Sequence, residues 1–585
     1  MAAPDRSDFR TELREVRAAV ESGDYATALR ILKPLADAGN PTAEDNLGAF
    51  YARGWGVERN DVEALRWFRK SADQGLAWGE LDLGIMFESG RGVMLDYADA
   101  MVWYRKAADQ GNADAQNNIG ILYYHGHGVQ QSYGIALEWF RKAADRGLPS
   151  GKTNVGLMYE AGFGVKQDSA EAVRWYRTAA EGGWARAAIR LGDMYEYGRG
   201  VKQDYAQAMA WYQKAADKGY ADAQVKLGLL SYHGFGVKQD DAKALQLFRK
   251  AADQGSLIGT VDVGFMYEAG RSVKQDYAQA VRLYRLAADK GLASGEAYLG
   301  RMYLHGRGVR QDDAQAMAWF RKAADQGDAE GQNSVGLMYE AGRGVDRSYP
   351  EALAWFRKSA DQGNPVAQVN VGLLYERGRG VPQDFVEAMR WYRKAAAQGK
   401  AEAENQIGTF YQRGQGVPED DAAALQWFKK AADQGLASAE ANIGYLYENG
   451  LGVEPDLAAA MRWYQKAASQ GDAMALNNLG VMYMNGVGVQ RNYCTALQWY
   501  QKAADRGDAT AQRNIAVIYA KGDCGPQDIV QTYRWLTLAI AGFGDDPRGQ
   551  SARTARDAIA TSMTPAQIDA AEKLAKAWKP QVATP

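Results

Sequence analysis

One short stretch decides the fold: residues 112–147 read NADAQNNIGILYYHGHGVQQSYGIALEWFRKAADRG. Asn112 is a preferred N-cap residue, and apolar side chains then recur at helical spacing until Gly126. Glycine ends helices because it adopts the left-handed conformation at little cost. A second apolar periodicity follows the loop, includes Trp139 and stops at Gly147. The stretch therefore predicts two helices joined by a glycine-rich turn.

The same pattern recurs along the chain with a period of 36 residues and without an insertion or deletion. Each of fourteen units is aligned here on a reference position in its first helix, Gly120 in the stretch above. Positions are counted from it, negative towards the N-terminus. Glycine stands at position +6 in all fourteen units and Trp at position +19 in twelve. The reference positions are Gly48, Gly84, Gly120, Gly156, Gly192, Gly228, Gly264, Gly300, Gly336, Gly372, Gly408, Gly444, Gly480 and Ala516.

These recurrences explain the high totals of 65 Gly and 16 Trp as structural features. A glycine in the middle of a helix costs about 0.5–1 kcal/mol relative to alanine, so we expect a neighbouring helix to approach it closely. We expect the recurrent Trp side chains to be fully buried anchors of the core.

A single helical hairpin cannot cover its own apolar face, so neighbouring units must stack. The predicted fold class is all-α, an α/α superhelical solenoid of helix-turn-helix repeats of 36 residues, with helical caps at both ends. Residues 1–39 are predicted to form an N-terminal capping pair of helices and residues 40–545 the fourteen repeats. Residues 546–585 are predicted to form a C-terminal helical cap and tail.

The repeated motif Leu-Gly-x-Met/Leu-Tyr-x₂-Gly-x-Gly-Val, followed by Trp-Tyr/Phe-Arg-Lys-Ala-Ala-Asp-Gln-Gly, resembles the Sel1-like repeat, a relative of the tetratricopeptide repeat. The resemblance covers about residues 40 to 545. It implies a right-handed superhelix whose first helices line a concave face, and a role in protein–protein interaction as an adaptor or scaffold. It also implies a bacterial origin.

Charge and hydropathy exclude other classes of protein. The 585 residues include 71 acidic and 69 basic side chains, a formal net charge of −2, which disfavours a nucleic-acid partner. No apolar stretch is long enough to span a membrane, and the N-terminus has no apolar segment typical of a signal peptide. The sequence as given predicts a cytoplasmic protein. The alternative is a periplasmic or secreted protein, if the Ala-Ala-Pro start is a mature N-terminus with an added Met.

Residue types that carry catalysis or bind metals are sparse. The four histidines fall in units too far apart to share one metal ion, except His125 and His127, which no Cys or carboxylate obviously joins. Cys494 and Cys524 are interpreted as two free thiols, although their pairing stays open. We therefore expect no enzyme activity, no metal and no cofactor.

Glutamate recurs at position +4, and we interpret it as a solvated stripe rather than as acid/base pairs. The residues of this set are Glu88, Glu160, Glu196, Glu268, Glu340, Glu376 and Glu448.

Helical geometry predicts that the exposed face of the first helix is centred on positions −3 and +4. In tetratricopeptide proteins the corresponding positions, with an asparagine at position −2, hold peptide ligands. By this resemblance the asparagines at position −2 bond a peptide backbone; the alternative is that they bond the neighbouring helix. The candidates are Asn118, Asn154, Asn370, Asn442 and Asn478.

Units five to eight depart from this pattern, with apolar residues at position −3 and bulky side chains nearby. We predict an apolar and aromatic partner-binding groove there, because contiguous exposed apolar surface usually marks a partner site. Neutral drift in a redundant array is the alternative. The candidate residues are Ile189, Arg190, Val225, Lys226, Tyr232, Val261, Phe265, Tyr298 and Leu304.

The function predicted from these patterns is that of a non-enzymatic scaffold that binds protein or peptide segments in its concave groove. One alternative is a cell-envelope or secreted enzyme or regulator acting on cell-wall or polysaccharide pathways. Another is a docking subunit of a larger enzyme complex. The sequence leaves the oligomeric state and the identity of the partner open.

Overall fold

A computed structural model describes residues 8–544 and 546–580, and the side chains from residue 11 onwards in that part. Within this part of the chain there are 32 helices and no strand, so the predicted all-α fold class is confirmed. None of the described helices combines the length and apolar character needed to cross a membrane.

The first helix of each repeat is called here the A helix and the second the B helix. The A helices are α3 (Pro41–Arg53), α5 (Ala77–Ser89), α7 (Ala113–His125), α9 (Pro149–Ala161), α11 (Ala185–Tyr197), α13 (Ala221–His233), α15 (Leu257–Ala269), α17 (Ala293–His305), α19 (Ala329–Ala341), α21 (Pro365–Arg377), α23 (Ala401–Arg413), α25 (Ala437–Asn449), α27 (Ala473–Asn485) and α29 (Ala509–Lys521).

The B helices are α4 (Asp61–Asp73), α6 (Tyr97–Asp109), α8 (Tyr133–Asp145), α10 (Ser169–Glu181), α12 (Tyr205–Ala216), α14 (Asp241–Asp253), α16 (Tyr277–Asp289), α18 (Asp313–Asp325), α20 (Tyr349–Asp361), α22 (Phe385–Ala396), α24 (Asp421–Asp433), α26 (Leu457–Ser469), α28 (Tyr493–Ala504) and α30 (Ile529–Phe543). The remaining helices are α1 (Asp8–Glu21), α2 (Tyr25–Asp37), α31 (Pro547–Ala560) and α32 (Pro565–Ala577).

The chain divides into two compact units, Met1–Ala287 and Ala288–Pro585. Within each unit, A helices pack on the B helices that follow them, and B helices pack on the next A helices. In the first unit α1 packs on α2 and α2 on α3, and in the second α31 and α32 both pack on α30. Each unit is thus a stack of helical hairpins with additional helices at one end.

The reference glycines are needed for close packing inside each hairpin. A β-carbon on Gly120 would lie 2.5 Å from a ring carbon of Phe140, and one on Gly156 would lie 2.6 Å from the ring of Tyr176. Both aromatic residues stand at position +20 of the B helix and are buried. The predicted close approach is confirmed, and the neighbour is the aromatic ring at position +20.

Four of the twelve Trp side chains at position +19 are buried as predicted, and the other eight are only half-buried. Trp139 is only half-buried, and the ammonium group of Lys142 lies 3.9 Å from its ring centroid. The same cation–π pair, with Lys at position +22, recurs in most repeats, for example 3.7 Å between Lys106 and Trp103. The fully buried aromatic anchor is therefore the next residue along the helix.

The interpretation of Cys494 and Cys524 as free thiols is wrong. The two residues form a disulfide bond, with 5.0 Å between their α-carbons. Cys524 takes position +8 of the last repeat, where other repeats place a glycine against the start of the preceding B helix. A β-carbon on Gly128, for example, would lie 2.6 Å from the β-carbon of Tyr97. The stacking of consecutive repeats thus brings the two cysteines together.

Candidate partner-binding surface

Four of the seven asparagines at position −2 bond the A helix of the preceding repeat. In four junctions the side-chain amide donates to an asparagine carbonyl at position −3 of the neighbouring helix. These bonds join Asn154 to Asn117 (2.8 Å), Asn370 to Asn333 (2.9 Å), Asn442 to Asn405 (2.9 Å) and Asn514 to Asn477 (3.1 Å). Each pair uses one amide hydrogen and one carbonyl oxygen. Of the two partners considered for these asparagines, a peptide backbone and the neighbouring helix, the structure shows the bond to the neighbouring helix.

Asn118 and Asn478 have a different environment. Asn118 hydrogen-bonds the hydroxyl of Tyr104, and Asn478 that of Tyr464. Asn478 also accepts a hydrogen bond from Asn477, with 3.3 Å between the nitrogen and the oxygen. The six asparagines described above therefore have two kinds of partner, an asparagine or a tyrosine of the preceding repeat.

The glutamates at position +4 are mostly not a solvated stripe, and that interpretation is wrong for six of the seven. Each of the six accepts a hydrogen bond from the buried tyrosine at position +20 of its own repeat, and burial followed by the carboxylate raises the pKa of Tyr176. The pairs are Tyr104–Glu88, Tyr176–Glu160 (2.7 Å), Tyr212–Glu196 (2.6 Å), Tyr284–Glu268 (2.8 Å), Tyr392–Glu376 (2.5 Å) and Tyr464–Glu448 (2.7 Å).

A signal for these pairs is present in the sequence. Glutamate at position +4 accompanies Tyr at position +20 in six repeats, whereas repeats with Phe at +20 carry other residues at +4, such as Tyr124 opposite Phe140. There are two exceptions. Glu340 stands opposite Phe356, and its carboxylate lies 3.8 Å from Arg379; Met484 stands opposite Tyr500, with 3.4 Å between the sulfur and the hydroxyl oxygen. Comparing the two positions across repeats would have revealed the pairs.

The exposed face of the A helix differs from the predicted one. Val225 and Val261, at position −3, are only 6% and 4% exposed, because this position faces the neighbouring A helix. Exposed large apolar side chains stand instead at positions +1 and −6. They are Ile85, Leu229, Leu337 and Tyr445 at +1, and Trp78, Ile258, Val366 and Met474 at −6.

In the first compact unit, a cavity of about 630 Å³ opens between α9, α11, α13 and α15. Four of the predicted binding residues line it, namely Ile189, Arg190, Val225 and Lys226. The rest of the lining is Thr153, Asn154, Leu157, Arg186, Asp193, Tyr220, Asp222 and Ile258.

The other predicted residues of this unit lie apart from that lining. The rings of Tyr232 and Phe265 pack edge to face with centroids 5.6 Å apart, and Val261 is buried.

In the second unit, Leu304 lines a separate cavity of about 240 Å³ together with Leu337, Met338 and Arg343. Tyr298 is half-buried, and the guanidinium of Arg301 lies 4.5 Å from its ring centroid.

A charged network lies at the cavity between α9, α11, α13 and α15, whose lining includes Asp193 and Lys226. The ammonium of Lys226 lies 3.0 Å from a carboxylate oxygen of Asp193 and 3.6 Å from one of Glu196. The hydroxyl of Tyr212 donates to the same two carboxylates, at 2.7 and 2.6 Å. Burial lowers the pKa of Lys226, but Asp193 and Glu196 outweigh it, so the net pKa is raised. The charged side chain of Lys226 is therefore fixed by two carboxylates of the preceding repeat.

Within the described residues, no three or more His, Cys, Asp or Glu side chains are grouped so as to hold a metal ion. The imidazoles of His125 and His127 stack with centroids 5.2 Å apart, and His127 also stacks on Tyr97. These rings pack as aromatic side chains.

Comparison with known families gave a clear result. A family model described as the Sel1 repeat matches fourteen times. The matched residues are 41–76, 79–112, 113–148, 149–184, 185–220, 221–256, 260–292, 293–328, 329–364, 365–400, 401–436, 437–472, 473–508 and 509–542. No match to the chain was found among curated proteins.

Several solved structures are similar to the chain. The protein c5321, a protective antigen of uropathogenic Escherichia coli strains with an SLR fold, is 36% identical over 75% of this chain and 93% of its own, with a TM-score of 0.46. A Sel1 repeat protein from Oxalobacter formigenes is 33% identical over 41% of this chain and 96% of its own, with a TM-score of 0.38. The APC/C hetero-tetramer Cut9–Hcn1 is 12% identical over 92% of this chain and 94% of its own, with a TM-score of 0.50, a likeness in fold alone.

Proposed function

Because the chain belongs to the Sel1 repeat family, we propose that it is a non-enzymatic scaffold that binds protein or peptide segments on the exposed face of its A helices. Solenoids of this kind are typically used for protein–protein interaction. Binding there serves complex assembly, localisation or regulation.

One observation carries the proposal: large apolar side chains are exposed at the same two positions of A helices in several repeats. Scattered exposed apolar residues are ordinary on protein surfaces, whereas a recurring set on one helix face marks a surface for a partner. Leu337 at position +1 and Val366 at position −6, on successive A helices, are 42% and 40% exposed. Such a face suits an extended segment that contacts several repeats in turn.

Site-specific photocrosslinking in the native host tests the proposal. A photoreactive amino acid at Leu337, on the A-helix face, should give covalent adducts with other proteins. The same residue at Val386, which is 50% exposed on a B helix, is the matched control and should give few. Equal adducts at the two positions, or none at Leu337, would contradict binding on the A-helix face.

The predicted residues of the second unit provide a further test. Leu304→Ala and Tyr298→Ala should weaken the capture of a crosslinked partner without unfolding the protein, because Leu304 lines the small cavity beside Leu337. Circular dichroism checks that the helices persist. Unchanged capture by both variants would remove these two residues from the binding surface.

We also propose that the protein works in an oxidising compartment, the periplasm or the cell exterior, rather than in the cytoplasm. The Cys494–Cys524 disulfide supports this, since disulfides are rare where thiols are kept reduced. Alkylating reagents applied to freshly lysed native cells should label neither cysteine until a reductant is added. Immediate labelling of both thiols would place the protein in a reducing compartment.

A further inference from the structure

The cavity between α9, α11, α13 and α15 has an unusual set of charges. Arg186 and Arg190 stand four residues apart on α11, are both exposed, and both line the cavity. Residues at this spacing are neighbours on a helix surface, and like charges there are destabilising. Within the described part of the chain, neither arginine forms an ion pair.

The acidic groups near Arg190 are already engaged. One carboxylate oxygen of Glu160 accepts a hydrogen bond from Tyr176 at 2.7 Å, and the other lies 2.9 Å from Arg199. Thr153, on the neighbouring A helix, donates its hydroxyl to the backbone oxygen of Pro149 at 2.8 Å. Both carboxylate oxygens of Glu160 and the hydroxyl of Thr153 thus already have partners.

The acidic residues of the lining are Asp193, on α11 itself, and Asp222, on α13. Asp193 is held by Lys226 and by the hydroxyl of Tyr212, as described above. Asp222 is the remaining acid of the lining, so three cations face two carboxylates and the lining carries one net positive charge. Two adjacent arginines that form no ion pair within the described residues therefore line a cavity with one net positive charge.

Aliphatic side chains complete the lining. Leu157, Ile189, Val225 and Ile258 come from four successive A helices, and Ile258 is 50% exposed. The volume of about 630 Å³ lies in the range of pockets that accept a few side chains. The cavity thus offers apolar contacts beside a pair of guanidinium groups.

Resting on the function proposed above, we infer that this cavity binds an internal protein segment that carries an Asp or Glu side chain next to an aliphatic or aromatic residue. The carboxylate lies between Arg186 and Arg190, and guanidinium groups hold carboxylates through charge-assisted hydrogen bonds. The apolar residue packs on the aliphatic side chains of the lining. Binding gives Arg186 and Arg190 an ion pair that they do not form within the described residues.

Selection from a random peptide library tests this inference. Twelve-residue random peptides displayed with a blocked C-terminus are selected on the full-length protein, and the best is made as a fluorescent peptide. We expect enrichment of Asp or Glu beside Leu, Ile, Val or Phe. Arg186→Ala and Arg190→Ala should each weaken binding of that peptide by about tenfold or more, the effect of losing a hydrogen bond to a charged group.

Controls separate the site from general charge. Arg282→Ala removes an exposed arginine from the B helix α16 of the same unit and should leave affinity unchanged. Arg190→Glu should shift the selection towards Lys-containing peptides, and Ile258→Asp should weaken binding of the original peptide.

Three outcomes would overturn the inference. These are no enrichment of acidic residues, unchanged affinity in both alanine variants, or selection only from a library with free C-terminal carboxylates. Photocrosslinking at Leu337 is independent of this cavity. If it succeeds while the arginine variants have no effect, the scaffold function stands and the assignment of this cavity is wrong.

Discussion

At the scale of single residues, the ring at position +20 determines what its surroundings must supply. The ring packs on the reference glycine in either case, as Phe140 does on Gly120 and Tyr176 on Gly156. A buried tyrosine also carries a hydroxyl that must be hydrogen-bonded, and Glu160 accepts it. A phenylalanine has no hydroxyl that needs a hydrogen-bond acceptor, so the residue at position +4 can vary in those repeats.

Gly120→Ala should destabilise the protein by about 1–3 kcal/mol, because the added methyl group overlaps the buried ring of Phe140. Gly134→Ala is the matched control in the same hairpin. A β-carbon at Gly134 meets no atom within 4 Å, so alanine there should raise stability by about 0.5–1 kcal/mol through helix propensity. Thermal unfolding followed by circular dichroism compares the two, and equal effects would contradict the packing role of the reference glycine.

Ser272 is strained by its backbone conformation. It stands at position +8 with a φ of 58°, in the left-handed region, where the equivalent Gly236 has a φ of 72°. Ser272→Gly should therefore raise stability by about 1 kcal/mol. The reverse change, Gly236→Ser, should lower it, since a β-carbon there would lie 2.7 Å from that of Tyr205. Melting temperatures that move in the opposite directions would show that the left-handed conformation is not the cause.

At the scale of elements, each junction between successive A helices is set by the residues at position −3 of one helix and −2 of the next. Asn117 and Asn154 form a hydrogen-bonded amide pair at one junction. Asp45 on α3 and Asp82 on α5 occupy the same two positions at the first junction. Burial, and then the charge of Asp82, raise the pKa of Asp45 to about 8. Burial raises the pKa of Asp82 to about 6, although Arg53 acts in the opposite direction.

This aspartate pair predicts that stability falls as the pH rises. Below about pH 4 both carboxyls are protonated in the folded and the unfolded chain and contribute no difference. Between about pH 4 and 8 the unfolded chain loses these protons first while the folded chain retains them, so the free energy of unfolding decreases. Hydrogen exchange of α3 and α5 at pH 5 and pH 8 measures the effect.

Replacing the pair isolates its contribution. Asp45→Asn with Asp82→Asn should remove this pH dependence and stabilise the junction at pH 8 by about 1–3 kcal/mol, because a buried charge without a partner is replaced by an amide. Asn117→Asp with Asn154→Asp should introduce the same dependence at the third junction. A pH response that persists in the first double variant would assign it to other groups.

The sequence predicted the hairpins and their caps because glycine, proline and N-cap residues act locally. It did not predict which face of the A helix is exposed. Val225 and Leu229 are separated by four residues and lie on adjacent parts of one helix, and only the packing of the next helix decides that Val225 is buried and Leu229 is exposed. Part of the cavity lining was predicted from the sequence, because Arg190 and Lys226 replace the asparagine that is common at position −2. Arg186 was not predicted, because it stands at position −6, where the residue varies from repeat to repeat.

At the scale of the whole molecule, the repeats share the same helical hairpin, but different residues form the hydrogen bonds between successive A helices. From the ninth repeat onwards, asparagine pairs stand at every second junction, with Asn333–Asn370 and Asn405–Asn442 as the first two. The junction between them instead joins Gln406 to Glu376, with 3.2 Å between nitrogen and oxygen. Asparagine pairs therefore recur with a period of two repeats, whereas the junctions between them differ from one another.

Removing two repeats should be better tolerated than removing one. Deletion of residues 365–436 brings Asn333 opposite Asn442 and restores an asparagine pair. Deletion of residues 365–400 alone brings Gln406 next to Glu340, which replaces Glu376, but Asn333 loses the amide of Asn370 as its hydrogen-bond donor, a loss worth about 1–2 kcal/mol. The longer deletion should therefore melt at the higher temperature in calorimetry. The opposite order would show that array length outweighs junction chemistry.

The Cys494–Cys524 bond has a mechanical consequence. If the protein is pulled from its C-terminus, the helices beyond Cys524 can unravel one after another, but residues 495–523 lie in a closed loop that the bond bypasses. Tension then passes through the sulfur atoms and not through α29. The helices α28 and α29 stay joined under a force that would separate helices held only by packing.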